Sequence, residues 1–177
     1  MDEALLIQAC VANDRKAQFA LYQKYFAFVS GICLRYLKDE GLAREVTNDV
    51  FLKAFTKMNT FESSKASLPT WLRAIAVNTC LDKLKLKLFG SHHLPLTENS
   101  VAAELVYDAE ITIADLLHIL SLIPQKQSVI FNLFVVEGYT HEEIGKMLNI
   151  SAGNSRWYLN DAKQRIKKVM AEAGFTV

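Results

Sequence analysis

Hydrophobic residues recur at intervals of three and four along most of this 177-residue chain, which is the spacing of one face of an α-helix. The pattern predicts a long amphipathic helix from Arg15 to about Lys38. Its apolar face would hold Phe19, Tyr22, Phe26, Val29, Cys33 and Tyr36. The following helix would have on one side Ala43, Val46, Val50, Ala54 and Met58. The alternation in LKLKLF would suit a strand, but no pairing partner is apparent, so we interpret it as the end of a helix. The pattern therefore predicts an all-α fold.

One stretch breaks the helical pattern. Residues 90–108 contain Gly90, Pro95 and Asn99, which are typical of a linker, and the charged side chains of this stretch are all acidic. We therefore expect two small helical domains joined by a flexible acidic linker. The predicted bounds are residues 1–89 for the first domain, 90–110 for the linker and 111–177 for the second domain.

The second domain ends in a pattern of two helices that meet at a tight turn. Thr140 and Glu143 have the spacing of a capping box at the start of a short helix. Asn149 tolerates the left-handed backbone that a sharp turn needs, and Ser151 can cap the next helix. Together with two preceding helices, this gives four helices in the second half of the chain.

The last of these helices is predicted to have two different faces. Its buried side would hold Ser155, Leu159, Ala162, Ile166 and Val169. A short helix, a turn and a second helix with a polar, partly basic outer face form the helix-turn-helix pattern, whose second helix enters the major groove of DNA. An ordinary helical hairpin with a solvated face is the alternative. The outward residues, and so the candidates for DNA binding, are Asn154, Arg156, Trp157, Tyr158, Asn160, Lys163 and Lys167.

The first domain contains a polar loop at residues 59–68, followed by a helix that Pro69 can begin. Bound single strands need aromatic side chains for stacking and cations for their phosphates, and this segment offers both. A solvated helix face would look much the same. The candidate residues are Phe61, Lys65, Arg73, Asn78, Asp82, Lys83 and Lys85.

The helix that contains Val46 and Ala54 carries more large aromatic residues than one buried stripe requires. Phe51 and Phe55 lie beside Glu45, Asp49 and Lys53 on its remaining surface. These aromatics either pack into a neighbouring helix or form a docking surface for a partner, apolar at its centre and charged at its rim.

Composition narrows the possible functions. The net charge of +1 means that nucleic-acid contact must come from local basic patches. The sequence contains no Gly-rich phosphate loop, no nucleophile with a base, and no ligand set that would make His92 and His93 a metal site. We therefore expect a non-enzymatic protein without a cofactor, metal or small-molecule substrate. Three widely spaced cysteines and the lack of a signal peptide or a membrane span favour the cytoplasm.

The chain resembles the bacterial sigma-70 type initiation factors, in the group called extracytoplasmic-function (ECF) sigma factors. The resemblance covers nearly the whole chain. DVFLKAF at 49–55 and WLRAIAVNTCLDKLK at 71–85 are similar to sigma region two. IPQKQSVIFNLFVVEGYTHEEIGKMLNIS at 123–151 is similar to region four, and the spacing from the Pro to the helix-turn-helix is its specific element.

The resemblance implies a role for each segment. Region two would bind the clamp helices of core RNA polymerase through Asp49, Val50, Lys53 and Ala54. It would also recognise the melted minus-ten strand of promoter DNA through the 61–68 loop and the helix bearing Asn78 and Asp82. Region four would dock on the polymerase flap and place the helix from Asn154 to Lys167 in the minus-thirty-five major groove. Because apolar docking faces would be exposed in the free protein, we also expect an anti-sigma factor as a partner.

The predicted reading helix departs from the family pattern at several positions. Asn154 and Ser155 follow Gly153 where Thr-Val is usual, and Asp161 occupies a position that is usually basic. Fewer cations mean fewer phosphate contacts, so we expect weaker binding to the minus-thirty-five element.

Two other functions fit the same sequence. A conventional helix-turn-helix regulator would use its first half for dimerisation or sensing, and would bind palindromic duplex without polymerase. An interaction-only adaptor would have lost DNA binding, which Tyr158 and Asp161 would favour.

Overall fold

The computed structural model describes residues 2–89 and 113–172, so the predicted linker lies outside the described residues. The chain divides into two compact units, Met1–Asp82 (unit 1) and Lys83–Val177 (unit 2). Every regular element in the described ranges is helical, which confirms the all-α prediction. The elements are α1 (Glu3–Val11), α2 (Arg15–Leu37), α3 (Glu40–Lys57), a 3₁₀ turn (Met58–Thr60), α4 (Leu68–Phe89), α5 (Ile113–Leu122), α6 (Gln125–Phe131), a π-helical turn (Asn132–Val136), α7 (His141–Leu148) and α8 (Ala152–Glu172).

Local capping fixes where the helices of unit 1 begin. The Asp14 side chain accepts hydrogen bonds from the backbone N–H groups of Lys16, at 2.8 Å, and Ala17, at 2.9 Å. Asp39 accepts one from the N–H of Leu42 at 2.7 Å. Each cap satisfies N–H groups that the first turn of a helix leaves without a partner, so α2 and α3 start where these aspartates occur.

The core of unit 1 lies mainly between α2 and α3. The α3 residues Val46, Val50 and Ala54 are all fully buried, as their spacing predicted. Phe51 is also buried, and its ring centroid lies 4.7 Å from that of Tyr22. Phe51 therefore packs into a neighbouring helix, the first of the two alternatives given for this residue.

The sequence did not identify the buried side of α2 correctly. Phe19 was expected on the apolar face, but its side chain is 60% exposed. Leu21 and Tyr25 are buried instead, and Val29 and Cys33 lie on the buried side as expected. Because α2 has apolar residues all round, its buried side is decided by its contacts with α1 and α3.

Unit 2 is organised around α8, which packs against α5, α6 and α7. Leu159, Ala162 and Ile166 of α8 are buried, and so are Val129 and Ile130 of α6, the helix with which α8 has its most extensive contact. At the end of the buried side of α8, Met170 is buried and Val169 is only half-buried. This packing fixes which face of α8 is left outward.

Candidate nucleic-acid interface

The turn between α7 and α8 has the geometry that its sequence predicts. Thr140 and Glu143 form a complete capping box: Thr140 Oγ1 accepts from the N–H of Glu143 at 3.2 Å, and Glu143 Oε2 accepts from the N–H of Thr140 at 2.8 Å. This second bond lowers the pKa of the Glu143 carboxyl. Asn149 is left-handed, with φ 56°, and Ser151 Oγ accepts from the N–H of Asn154 at 3.0 Å.

One residue of the turn was not identified from the sequence. Gly145 is buried in α7, and a Cβ atom added to it would lie 2.8 Å from the backbone oxygen of Ile150. The backbone N–H of Ile150 also donates to the Gly145 carbonyl at 3.0 Å. The chain leaving the turn thus passes directly over Gly145, and only a residue without a side chain allows this close approach.

A hydrogen bond between α7 and α8 supports the turn from inside. His141 Nδ1 and the buried Ser155 hydroxyl lie 2.9 Å apart, and the His141 ring stacks on Phe134 with centroids 4.4 Å apart. Burial is the main cause of a lowered pKa for His141, and the nearby cation Arg156 lowers it further. The imidazole is therefore held towards its neutral form, between the two helices.

All seven residues predicted to read duplex DNA lie on the part of α8 that the unit 2 core leaves uncovered. Arg156 and Lys167 are exposed and the other five are half-buried. The rings of Trp157 and Tyr158 meet edge to face, with centroids 5.2 Å apart, and the Lys126 ammonium lies 5.9 Å from the centre of the Tyr158 ring. The outer face therefore combines aromatic rings with cations.

Asp161, the acidic residue at a position where the resemblance expects a cation, faces α6. Its Oδ2 accepts from Gln127 Nε2 at 2.6 Å and from Arg165 Nε at 2.9 Å. Gln127 is itself buried, so the carboxylate provides an acceptor for a polar group inside unit 2. Asp161 thus has a structural role, which removes one of the two features that favoured an adaptor without DNA binding.

In unit 1, the predicted single-strand loop lies next to a cavity of about 390 Å³. Phe61, Ser63 and Ser67 line it from the loop, and Glu3 and Gln8 line it from α1. Sequence reasoning missed the contribution of α1, because only the tertiary fold brings the first helix to this loop.

The polar and aromatic groups of this loop have defined contacts. The Phe61 ring packs against that of Trp71, with centroids 5.4 Å apart, and Lys65 Nζ pairs with Glu62 Oε1 at 2.8 Å. Glu3 accepts from the Tyr25 hydroxyl at 2.7 Å, and this hydrogen bond is the largest cause of a lowered pKa for the Glu3 carboxyl. The cavity therefore has an aromatic wall from the loop and an anionic group from α1.

The α4 residues predicted to bind the single strand are spread along the outward side of that helix. Asn78, Asp82 and Lys83 are exposed, whereas Arg73 and Lys85 are half-buried. The Arg73 guanidinium lies 5.7 Å from the centre of the Phe28 ring.

The predicted polymerase-binding set needs a correction. Val50 and Ala54 are fully buried, so their side chains belong to the core of unit 1 and form no surface. Asp49 is half-buried and Lys53 is exposed. Leu52, which the sequence analysis did not select, is 67% exposed on the same helix. With Val50 and Ala54 removed, the part of the predicted set that lies at the surface of α3 is Asp49 and Lys53, and Leu52 lies beside them.

Cysteine, metal and membrane features add no further site in the described ranges. Cys10, Cys33 and Cys80 are free and buried. Residues 2–89 and 113–172 contain no cluster of three metal-ligating side chains, and His92 and His93 lie outside these ranges. None of the helices described is both long enough and apolar enough to cross a membrane.

Comparison with known protein families gives two matches. Residues 21–87 match Sigma-70 region 2, and residues 113–166 match Sigma-70, region 4. The two matches fall on the two helical segments and leave out the predicted linker.

Individual relatives cover almost the same span. The chain is 24% identical to the RNA polymerase sigma-H factor of Pseudomonas aeruginosa, over 93% of this chain and 92% of that protein. It is 27% identical to the ECF RNA polymerase sigma factor SigM of Bacillus subtilis, over 83% of this chain and 91% of that protein. Among solved structures, the sigma factor RpoE of Bartonella quintana, in complex with the anti-sigma factor NepR, has a TM-score of 0.50 at 16% identity. That similarity covers 86% of this chain and 97% of RpoE, and it concerns the fold.

The turn between α7 and α8 requires Gly145, and the outer face of α8 is polar and aromatic. Together these features define a helix-turn-helix protein. Both family matches make the class more specific. The chain belongs to the sigma-70 family and to its ECF group, and it is an RNA polymerase sigma factor that acts in transcription initiation. Sigma factors are in general non-catalytic DNA-binding regulatory subunits. The match to region 2 does not favour the alternative in which the first half is a dimerisation or sensing domain.

Proposed function

We propose that this sigma factor divides promoter recognition between its two halves. Residues 1–89 would form a region 2 domain that binds core polymerase and the melted minus-ten strand. Residues 111–177 would form a region 4 domain that reads the minus-thirty-five duplex, with residues 90–110 as the linker. The observation that carries the proposal is the outward face of α8, which the α7–α8 turn leaves free to enter a major groove. The protein would act in the cytoplasm, without a cofactor.

The cavity beside the 61–68 loop supports a role for this part of unit 1 in binding the minus-ten strand. Its volume of about 390 Å³ is within the range of small-ligand pockets and is ample for one nucleobase. Phe61 supplies an aromatic ring at its edge, and Ser63 and Ser67 supply hydroxyl groups for base edges. Arg73, Lys83 and Lys85 would bind the phosphates of the same strand.

The exposed part of α3 supports a polymerase-binding role after the correction given above. Leu52 offers an apolar side chain at the surface, with Asp49 and Lys53 beside it. An apolar centre with a charged rim is the usual composition of a protein interface.

We also propose that an anti-sigma factor covers part of unit 1 in the free protein. Phe19 and Leu52 are more than half exposed, and burial of such side chains by a partner would be favourable. The related RpoE was solved with an anti-sigma factor bound. Co-purification of this chain from cells should then yield a complex with a protein that is not a polymerase subunit. Recovery of only free protein or polymerase, under inducing and non-inducing conditions alike, would contradict this partner.

Run-off transcription with purified core polymerase tests the central proposal. Arg156→Ala should reduce promoter-dependent transcription about tenfold, because an arginine that contacts a base is lost. Polymerase binding should be unchanged. Asn154→Ala should reduce it in the same direction. Lys168→Ala is the matched control, because this exposed α8 cation pairs with Glu172 and lies outside the proposed reading set. If Asn154→Ala and Arg156→Ala both transcribe at the wild-type rate, α8 is not the reading helix.

The same purified protein, with and without core polymerase, distinguishes a sigma factor from a dimeric regulator and from an adaptor. A sigma factor should be a monomer that needs polymerase for promoter binding. A dimeric regulator would bind palindromic duplex alone, and an adaptor would support no run-off product.

A further inference from the structure

An ion pair connects the two helices of the helix-turn-helix on their outer side. Glu142 lies in the first turn of α7 and Arg156 in the first two turns of α8. Arg156 Nη2 donates to Glu142 Oε1 at 2.9 Å, and both side chains are more than half exposed. The sequence analysis selected Arg156 for DNA reading but did not identify Glu142.

The backbone that carries Glu142 is fixed on both sides. The residue before it, His141, is bound to Ser155 and stacked on Phe134. The residue after it, Glu143, forms the capping box with Thr140. The packing of α7 therefore fixes the backbone from which the Glu142 side chain extends. An arginine bound to this carboxylate has fewer orientations than an unpaired arginine, whose side chain has several rotatable bonds.

We propose that Glu142 is a positioning residue for Arg156, an inference that rests on the proposed recognition role of α8. The carboxylate holds one nitrogen of the guanidinium group and leaves its other N–H groups directed outward, where they can meet a base edge. Without Glu142, the guanidinium would turn to the nearest phosphate, because a phosphate is the strongest competing anion and can be reached in many orientations.

Two measurable consequences follow. With Glu142 present, Arg156 contributes sequence discrimination at one base pair, as arginine does when it contacts guanine. Because the ion pair also neutralises Arg156, the arginine contributes little to counterion release. Loss of the carboxylate should therefore weaken base preference and make binding more sensitive to salt.

The experiment uses full-length protein assembled with core polymerase. The probe is a pool of promoter fragments with a randomised duplex segment upstream of the minus-ten region, and bound fragments are sequenced. Wild type is compared with Glu142→Gln, Glu142→Asp and Arg156→Ala. Glu172→Gln is the matched control, because it removes one exposed, ion-paired carboxylate at the other end of α8. Binding of the wild-type consensus is then measured at several salt concentrations.

We expect wild type and Glu172→Gln to prefer one base at a position where Arg156→Ala shows no preference. In Glu142→Gln, the preference for this base should fall about tenfold, and the plot of log binding constant against log salt concentration should become steeper by about one unit. Glu142→Asp should retain most of the preference. Full wild-type preference in Glu142→Gln would overturn the inference and leave the role of Arg156 intact. An Arg156→Ala profile equal to wild type would overturn both the inference and the proposed function of α8.

Discussion

Lys53 Nζ lies 3.6 Å from Asp82 Oδ2, and this ion pair joins α3 to α4 on the surface of unit 1. Lys53 Nζ also donates to the Thr79 hydroxyl at 3.2 Å. Lys53 belongs to the proposed polymerase-binding surface, and Asp82 belongs to the proposed minus-ten set. The two proposed functions of unit 1 therefore share one pair of charges.

We predict that substitutions of Lys53 and Asp82 are not additive. Both side chains are largely exposed, so the pair should contribute only about 0.2–1 kcal/mol to the free energy of unfolding. A double-mutant cycle of Lys53→Ala and Asp82→Ala should give this coupling energy, and a similar coupling in the rate of open-complex formation. Lys65→Ala combined with Asp82→Ala is the control, since Lys65 pairs with Glu62 instead. Strict additivity of the first pair in both measurements would exclude the shared role.

Asp161→Ala should destabilise unit 2 by about 1–3 kcal/mol, because the buried Gln127 amide would lose its acceptor. Chemical denaturation can be followed by the fluorescence of Trp157 in a Trp71→Phe background, which reports on unit 2. The double variant Gln127→Leu with Asp161→Leu should recover part of the loss, since it removes both polar groups together. A stability for Asp161→Ala equal to wild type would show that the residue has no structural role.

Gly145→Ala should lower the stability of unit 2, although alanine is the better helix former. The new Cβ would lie 2.8 Å from the Ile150 carbonyl oxygen, a backbone atom that cannot move without opening the turn. We expect a net cost of about 1–3 kcal/mol from this overpacking. Gly153→Ala is the matched control: its Cβ would be 3.7 Å from Ser151 Oγ, and its stability should equal or exceed wild type. Equal stabilities for the two alanine variants would contradict the close approach at the turn.

The stability of unit 2 should fall as the pH is lowered through the range in which histidine titrates. Burial, followed by Arg156, lowers the pKa of His141 in the folded state below its ordinary value of 6.5. The unfolded chain then binds the proton more readily than the folded chain. The contribution of His141 to the free energy of unfolding is therefore complete above pH 6.5, and it decreases below pH 6.5 until the folded-state pKa is passed. His141→Gln keeps a polar partner for Ser155 and removes the titration. Its free energy of unfolding should be less dependent on pH over this window, and an unchanged profile would show that another group is responsible.

The sequence by itself determined the features that depend on neighbours a few residues apart. The capping box of Thr140 and Glu143, the left-handed turn at Asn149 and most of the buried side of α8 were predicted correctly, because helix capping and helical periodicity act within four or five positions. The all-α fold followed from the same short-range pattern.

Only the tertiary structure decided which surfaces face one another. Phe19 is exposed and Leu21 is buried because of how α2 packs against α1 and α3, and the pattern along one helix does not specify its neighbours. Gln127, which donates to Asp161, lies 34 residues away in sequence, and Glu142, which pairs with Arg156, lies 14 residues away. Helix α1 forms a wall of the cavity beside Phe61. Such contacts depend on how distant helices meet, so the local sequence cannot determine them.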